Sequence, residues 1–159
     1  MSLATVAGSI VPIYYDRQGI IFKIGKKNDE QHAAYPWTHG GVPLVSGLSF
    51  YEPVLGMRLP AQYSAFLSRL DVIREMNPVL LQAISEIQIS AKPFDTFDLV
   101  LFPAHIPIRV RTNSDINEEM LRYVLLILDV LHSEKMKIEE IDFRVGMAAY
   151  TFKGARSGE

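Results

Sequence analysis

The sequence contains no cysteine. This absence excludes a disulfide framework, iron–sulfur ligation, a cysteine-based zinc ribbon and a thiol nucleophile. It indicates no compartment, because both cytosolic and exported proteins can lack cysteine. The common catalytic signatures are missing as well: there is no Walker A sequence, no G-x-G-x-x-G after a strand, no G-x-S-x-G elbow and no H-E-x-x-H.

Long apolar runs and an excess of one charge are also lacking. The longest apolar run covers residues 124–128, whereas a membrane-spanning helix needs about 20 predominantly apolar residues. The first residues carry no basic segment before an apolar one, so no signal peptide is predicted. Sixteen lysines and arginines against eighteen aspartates and glutamates give a net charge of -2. We therefore expect no nucleic-acid partner, because no basic field is available to attract phosphates.

The length and composition are those of one folded domain. The chain has 159 residues, of which 48% are apolar and 21% charged. These fractions are typical of soluble globular proteins. A chain of this size buries about 70% of its unfolded surface, which is enough for a hydrophobic core.

Several short β-rich runs indicate strands. Residues 9–16 and 20–24 flank the turn Arg17-Gln18-Gly19, which predicts a hairpin. Residues 25–41 are polar and aperiodic, which predicts an exposed connection before a short apolar run at 42–45. Three later runs predict a meander: 86–91, 97–102 and 105–111.

Apolar residues at helical spacing predict two principal helices. The first begins near Pro60 and ends at Asn77-Pro78, with a short helical turn at 78–83 after it. In the second, Asp115 is predicted as the N-cap with Glu118 completing a capping box. The second helix ends near 133–135, and its apolar stripe is widened by Leu126, Ile127 and Val130. The wide stripe indicates either two-sided packing or a partner surface.

The chain closes with a second predicted hairpin. Residues 141–145 alternate strictly, Gly146-Met147 forms a turn, and residues 148–153 return with Tyr150 and Phe152 on one side. We expect the second strand to lie at the edge of the sheet. Strands grouped around inserted helices, without regular βαβ alternation, predict an α+β fold with a mainly antiparallel sheet.

No metal, cofactor or catalytic site is predicted. His32 and His39 lie beside acidic residues in the polar connection, but such a site lacks a rigid element to set its geometry. His105 precedes a strand, and His132 is expected to compensate the dipole at a helix C-terminus. Acid–base pairs drawn among the carboxylates are arbitrary, and solvated charges are the simpler interpretation of Asp95, Asp98, Asp142 and Glu52.

Four short motifs follow one another along the chain: residues 14–22 (YYDRQGIIF), 42–47 (VPLVSG), 84–87 (ISEI) and 141–144 (IDFR). In this order they resemble the β domain of the bacterial division protein family FtsQ, called DivIB in other bacteria. The resemblance extends over residues 7–153. The chain departs from the family at residues 110–112, where Leu-Gly is usual, and in the length of the 25–41 connection.

The resemblance implies a non-enzymatic scaffold of the divisome. It divides the chain into residues 1–8 as the end of a POTRA domain or a linker, residues 9–153 as an FtsQ-like β domain, and residues 154–159 as a C-terminal tail. The family's cytoplasmic tail, membrane span and most of its POTRA domain are missing. The implied location is extracytoplasmic, with tethering to the membrane only through that missing N-terminal span.

The resemblance also implies a partner site on the last strands, where division proteins of the FtsB and FtsL type bind. The matched residues are Arg144, Val145, Met147, Ala149, Tyr150 and Phe152. We expect Arg144 to pair with an acidic partner residue and Tyr150 or Phe152 to act as an aromatic anchor. The alternative is a solvated Arg144 and core-facing aromatics. Two other functions stay open: a small-molecule-binding or catalytic α+β domain of unknown substrate, and a transport module with POTRA-linked architecture.

Overall fold

The computed structural model describes residues 2–26, 42–94, 96–145 and 148–152. Within these ranges, the chain forms nine strands and three helices, with the helices inserted between groups of strands. The strands are β1 Ser2–Val6, β2 Ser9–Tyr15, β3 Ile21–Ile24, β4 Leu44–Phe50, β5 Ile84–Lys92, β6 Thr96–Pro103, β7 Arg109–Asn113, β8 Ile138–Asp142 and β9 Ala149–Phe152. The helices are α1 Ala61–Met76, α2 Pro78–Gln82 and α3 Glu118–Ser133.

All nine strands join one mixed sheet in the order β3-β2-β1-β4-β5-β6-β7-β8-β9. Five of the strand pairings are antiparallel, and three, β1–β4, β4–β5 and β7–β8, are parallel. The predicted α+β class, the mainly antiparallel sheet and the two principal helices are confirmed. The predicted β2–β3 hairpin and β5–β6–β7 meander are present as well.

Strand β1 is a finding of the structure that differs from the expectation for the first residues. Residues 1–8 were expected to be the end of another domain or a linker, yet Ser2–Val6 pairs with β2 on one side and β4 on the other. The β1–β2 hairpin turns at Ala7-Gly8, where both residues have positive φ, 46° and 77°. A two-residue type I′ turn requires this backbone. Alanine at its first position concealed the turn, because alanine is not a typical residue there.

The two long helices bury apolar stripes in a single core. In α1 the buried residues are Tyr63, Phe66, Leu70 and Ile73. In α3 they are Leu121, Val124, Leu128 and Leu131. Phe97 of β6 contacts two rings of α1, with centroids 5.6 Å from Tyr63 and 5.8 Å from Phe66. The core-facing residues of neighbouring strands share one face of the sheet, and the alternate residues form the opposite, mostly polar face.

The predicted N-cap of α3 is wrong. Asn117, not Asp115, caps the helix, and its side chain accepts a hydrogen bond from the Met120 backbone N–H at 2.8 Å. Asp115 lies two residues earlier and accepts a hydrogen bond from Arg69 at 2.7 Å. The fully buried Ile116 precedes the cap, and burying this side chain sets where the helix begins.

Two predicted strand boundaries also shift. β7 begins at Arg109 rather than His105, because Pro107 has no N–H for a ladder. β8 covers Ile138–Asp142, so Arg144 and Val145 lie in a turn after the strand and not within it. The Arg144 backbone N–H donates to the Asp142 side chain at 2.9 Å, which bends the chain there. Most of the 25–41 connection, the Gly146-Met147 turn and the 154–159 tail lie outside the described residues.

Candidate functional site

β9 is an edge strand. It pairs only with β8 among the described residues, as predicted for the terminal hairpin. All four of its residues are exposed; Tyr150 is 43% and Phe152 50% exposed. Residues 149–152 contain neither a proline nor a charged residue, which are the features by which edge strands usually avoid pairing with another chain. No strand among the described residues pairs with its outer backbone groups.

The register places both aromatic residues of β9 on the helix side of the sheet. Tyr150 lies opposite Ile141, and Phe152 lies opposite Ile138. Both of these β8 residues are buried in the core. Tyr150 and Phe152 therefore extend the core layer beyond its buried part, and half of each side chain stays uncovered. The register thus agrees with the alternative in which both aromatic residues face the core, although neither residue is buried.

Helix α3 adds exposed apolar surface beside this hairpin. Tyr123, Leu126 and Val130 are more than half exposed, on the side of α3 away from its buried stripe. The Tyr123 ring meets Phe143, directly after β8, edge-on with centroids 5.8 Å apart. The wide apolar stripe of α3 was expected to mean either packing on both sides or a partner surface. The described residues do not show packing on both sides.

Arg144 belongs to a cluster of four charged side chains on the polar face, which we call the Arg144 cluster: Lys92, Asp98, Asp142 and Arg144. Arg144 Nη1 donates to Asp98 Oδ2 at 3.0 Å, and Arg144 Nη2 donates to Asp142 Oδ2 at 2.5 Å. Lys92 Nζ donates to the second oxygen of Asp98 at 3.1 Å. The cluster holds two positive and two negative charges and is neutral.

These contacts shift the acidity of the groups involved. Hydrogen bonds from the Arg144 side chain lower the pKa of Asp142, with a smaller contribution from the Arg144 backbone N–H. The same contacts raise the pKa of Arg144, first through Asp142 and then through Asp98. The Arg144 guanidinium and the Asp142 carboxylate are therefore charged at neutral pH.

A second set of ion pairs lies next to the Arg144 cluster on the same face. Arg111 Nε donates to Glu140 Oε1 at 2.7 Å, and Arg109 Nη2 donates to Glu139 Oε1 at 3.2 Å. Opposite charges facing one another across strands stabilise the pairing of β7 with β8. This face thus presents balanced charge to solvent.

The structure does not bring all predicted site residues together in one surface. Ala149, Tyr150 and Phe152 lie on the edge strand, Val145 is 78% exposed in the preceding turn, and Met147 lies outside the described residues. Arg144 points to carboxylates of its own chain. No pattern in the sequence pairs Arg144 with Asp98, whose one signal is its place as an acidic residue within the apolar run of β6.

The remaining chemical candidates are dispersed. The part of the chain that the structure describes contains no group of three or more histidine, aspartate or glutamate side chains arranged to hold a metal. His105 and His132 are exposed, and His32 and His39 lie outside the described ranges. None of the described helices is long and apolar enough to cross a membrane.

Several open clefts mark the described surface, including two with polar residues in their lining. One, of about 630 Å³, lies at the end of β5 and β6 and is lined by Ser85, Phe102, Pro103, Ile106, Pro107, Ile108, Arg109 and Glu139. Another, of about 340 Å³, lies between α1 and the β2–β3 hairpin. Its polar lining includes Tyr15, Arg17, Asp71 and Arg74. Burial raises the pKa of Tyr15 to about 12, and its hydroxyl is 2.6 Å from the buried Ser2 hydroxyl.

Comparisons of the chain with protein-family models, with curated proteins and with solved structures find no match.

Proposed function

We propose that this domain is a non-enzymatic scaffold of the bacterial division machinery that accepts a strand of a partner protein at β9. The observation that carries the proposal is the position of β9 at one end of the described sheet, with all four of its residues exposed. Main-chain hydrogen bonds along such an edge provide affinity, and alternate side chains provide specificity.

The opposite edge of the sheet offers a comparison. β3 is also four residues long, but it carries Lys23, and its neighbour Ile20 forms a bridge to Arg58. Lysine on an edge strand and coverage by another segment both discourage pairing with a second chain. Residues 149–152 carry no lysine, and no other described segment covers them, so the two edges are not equivalent and β9 is the better acceptor.

The side chains of β9 suit an apolar partner strand. Tyr150 and Phe152 lie beside the buried core and are only half covered. A partner strand with apolar residues on its helix-side face would cover them and continue the core layer by one strand. Large aromatic residues at the centre of an interface are typical anchors of binding energy.

The ordered motifs that resemble FtsQ and DivIB support the choice of partner. They favour division proteins of the FtsB and FtsL type, an extracytoplasmic location and tethering through an N-terminal span upstream of residue 1. In this proposal the protein acts by binding and needs no cofactor. The upstream reading frame provides a direct check: a membrane span and a POTRA domain are expected, and a frame that starts at Met1 would argue against the family.

The docking site can be tested by calorimetric titration with the extracytoplasmic segment of the FtsB-type protein from the same organism. Successive N–H groups of a strand point to opposite sides, so proline is introduced separately at Thr151 and Tyr150. One proline removes an outward N–H and weakens binding without lowering the melting temperature. The other proline breaks a β8–β9 hydrogen bond and lowers both the affinity and the melting temperature. Lys23→Pro, on the β3 edge, is the matched control and is expected to leave binding unchanged.

The aromatic residues are tested in the same titration. Tyr150→Ala and Phe152→Ala are expected to weaken binding by about 1–2 kcal/mol each, because each loses an anchor at the interface. Wild-type affinity in all four β9 variants would show that the partner docks elsewhere, and the exposed side of α3 would be the next surface to test.

A second candidate function is small-molecule binding in the cleft beside α1. The observation that favours it is the convergence of Tyr15, Arg17 and Asp71 on a concave surface of about 340 Å³. A thermal-shift screen against metabolites tests it. A ligand that raises the melting temperature of the wild type but not of a Leu67→Trp variant, which fills the cleft, would favour this function.

A further inference from the structure

Arg144 connects two strands that are not neighbours in the sheet. Its guanidinium contacts Asp98 on β6 and Asp142 at the end of β8, with β7 lying between them. Asp98 and Arg144 are 46 positions apart in the sequence. One side chain therefore ties the turn that leads towards β9 to a strand two places further into the sheet.

Asp98 is the fixed end of this connection. Its residue is only 7% exposed, and its backbone is held in the ladder between Ser90 of β5 and Asn113 of β7. Lys92 binds one carboxylate oxygen and Arg144 binds the other. A mostly buried carboxylate that loses a cationic partner is destabilised, so Asp98 holds Arg144 in place.

The charge balance of the Arg144 cluster opposes a direct role in recognising an acid. Nε, Nη1 and Nη2 of Arg144 all donate to carboxylates of its own chain. A partner carboxylate would bring a third negative charge to a neutral cluster. It would have to displace Asp98 or Asp142 from the guanidinium, and both are hydrogen-bonded at 3.0 Å or less.

We propose that Arg144 is a positioning residue: by joining Asp98 to Asp142 across β7, it fixes the turn after β8 and holds β9 ready to accept a partner strand. Asp98 acts with it, although it lies three strands away from β9. The inference rests on the proposed docking role of β9. It differs from the expectation that Arg144 binds an acidic residue of the partner.

Asp98→Asn separates the two roles, because they predict different changes in the affinity for the FtsB-type segment. If Arg144 positions the edge, loss of the Asp98 charge loosens the turn and weakens binding of the FtsB-type segment, by about fivefold for one partly exposed ion pair. If Arg144 instead binds an acidic residue of the partner, Asp98→Asn frees the guanidinium and binding becomes tighter or stays unchanged. Asp115→Asn is the matched control: it removes the ion pair with Arg69 elsewhere and should leave binding unchanged.

Hydrogen–deuterium exchange of the free domain tests the positioning without any partner. The amides of residues 149–152 are expected to exchange about fivefold faster in Asp98→Asn than in the wild type, because the opening of the hairpin becomes easier. The amides of β5 in Asp98→Asn should exchange at the wild-type rate. In the Asp115→Asn control, the amides of residues 149–152 should also exchange at the wild-type rate. Residues 149–152 should exchange fastest in Arg144→Ala and at an intermediate rate in Arg144→Lys. An ammonium group keeps the charge but lacks the fork that reaches both carboxylates.

The outcomes separate this inference from the proposed function. Unchanged exchange of β9 in Asp98→Asn, or tighter partner binding, would overturn the positioning role of Arg144. Faster exchange in a domain whose wild type does not bind the segment would keep the positioning role and contradict the proposed function. If Asp98→Asn does not fold, the comparison of Arg144→Lys with Arg144→Ala decides in the same two assays.

Discussion

Gly47 is the residue whose replacement should affect the fold most directly. It lies in β4, at the point where the register of β4 with β5 ends, and its φ is +82°. A Cβ added there would lie 2.2 Å from the carbonyl oxygen of Ile89, a backbone atom of β5. To lengthen this distance to even 3.0 Å, β4 and β5 would have to move apart by about 0.8 Å. The contact with Ile89 and the positive φ therefore explain why glycine occupies the last position of the VPLVSG motif.

Two contributions set the cost of Gly47→Ala. The left-handed backbone costs an alanine about 1–2 kcal/mol. The forced displacement of a packed strand costs about 1–3 kcal/mol more. We expect the free energy of unfolding to fall by about 3–4 kcal/mol, a large part of the roughly 5–15 kcal/mol that stabilises a domain. For a chain of this length, the melting temperature should fall by roughly 10 °C.

Urea unfolding and thermal unfolding measure both quantities, and another glycine provides the control. Gly8 has a similar φ of +77°, but a Cβ added there meets no atom within 4 Å. Gly8→Ala should therefore cost only the backbone contribution, about 1–2 kcal/mol. The difference between the two variants isolates the contact with Ile89. Equal stabilities of Gly47→Ala and Gly8→Ala would refute the steric argument.

Three further predictions concern a cap and two titrating groups. Asn117→Ala should lower the free energy of unfolding by about 1 kcal/mol because α3 loses its cap, whereas Asp115→Ala should cost under about 0.5 kcal/mol as a surface change; urea unfolding of both variants measures this difference. Tyr15 has its pKa raised to about 12, so the unfolded chain releases this proton first, and the stability from Tyr15 is complete below pH about 10 and is lost as the pH rises to about 12. Tyr15→Phe should flatten that decline, and absorbance at 295 nm should show one tyrosine that ionises late. Asp142 has a lowered pKa, so its stabilising effect is present above the unfolded value of about 4 and is lost as the pH falls through the folded value. In Arg144→Ala, carboxyl NMR titration should show the pKa of Asp142 returning towards the ordinary value; no change would contradict the contact.

The sequence predicted those elements whose signal is local. The apolar stripe of α1 depends on residues three or four positions apart, and the strands of the meander depend on residues two positions apart. Both elements are present in the structure. The edge position of β9 also followed, because a final alternating hairpin has few places in a sheet. The start of α3 did not follow, since Asp115 and Asn117 are both good caps and only the burial of Ile116 selects between them.

The contacts that define the candidate site could not be predicted from such patterns. Arg144 meets Asp98 only because β6, β7 and β8 are neighbours, and the β7–β8 pairing is parallel with α3 inserted between the strands. β1 escaped prediction for a similar reason. Its pairing with β4 joins distant segments, and its turn with β2 uses an alanine in an unusual conformation.

The three parallel pairings set the order in which the sheet can assemble. Strands β1–β2–β3, β5–β6–β7 and β8–β9 each pair with chain neighbours through short turns or loops, whereas β4 joins both of its neighbours in parallel. Parallel joints close long loops, which slows folding. We expect the three antiparallel units to form early and the joints around β4 and between β7 and β8 to form late. The β4–β5 and β7–β8 joints each span three residue pairs, but β8–β9 is the smallest unit and is held to the sheet by its joint alone. We therefore expect the terminal hairpin to attach last and to separate first when the chain is pulled or denatured.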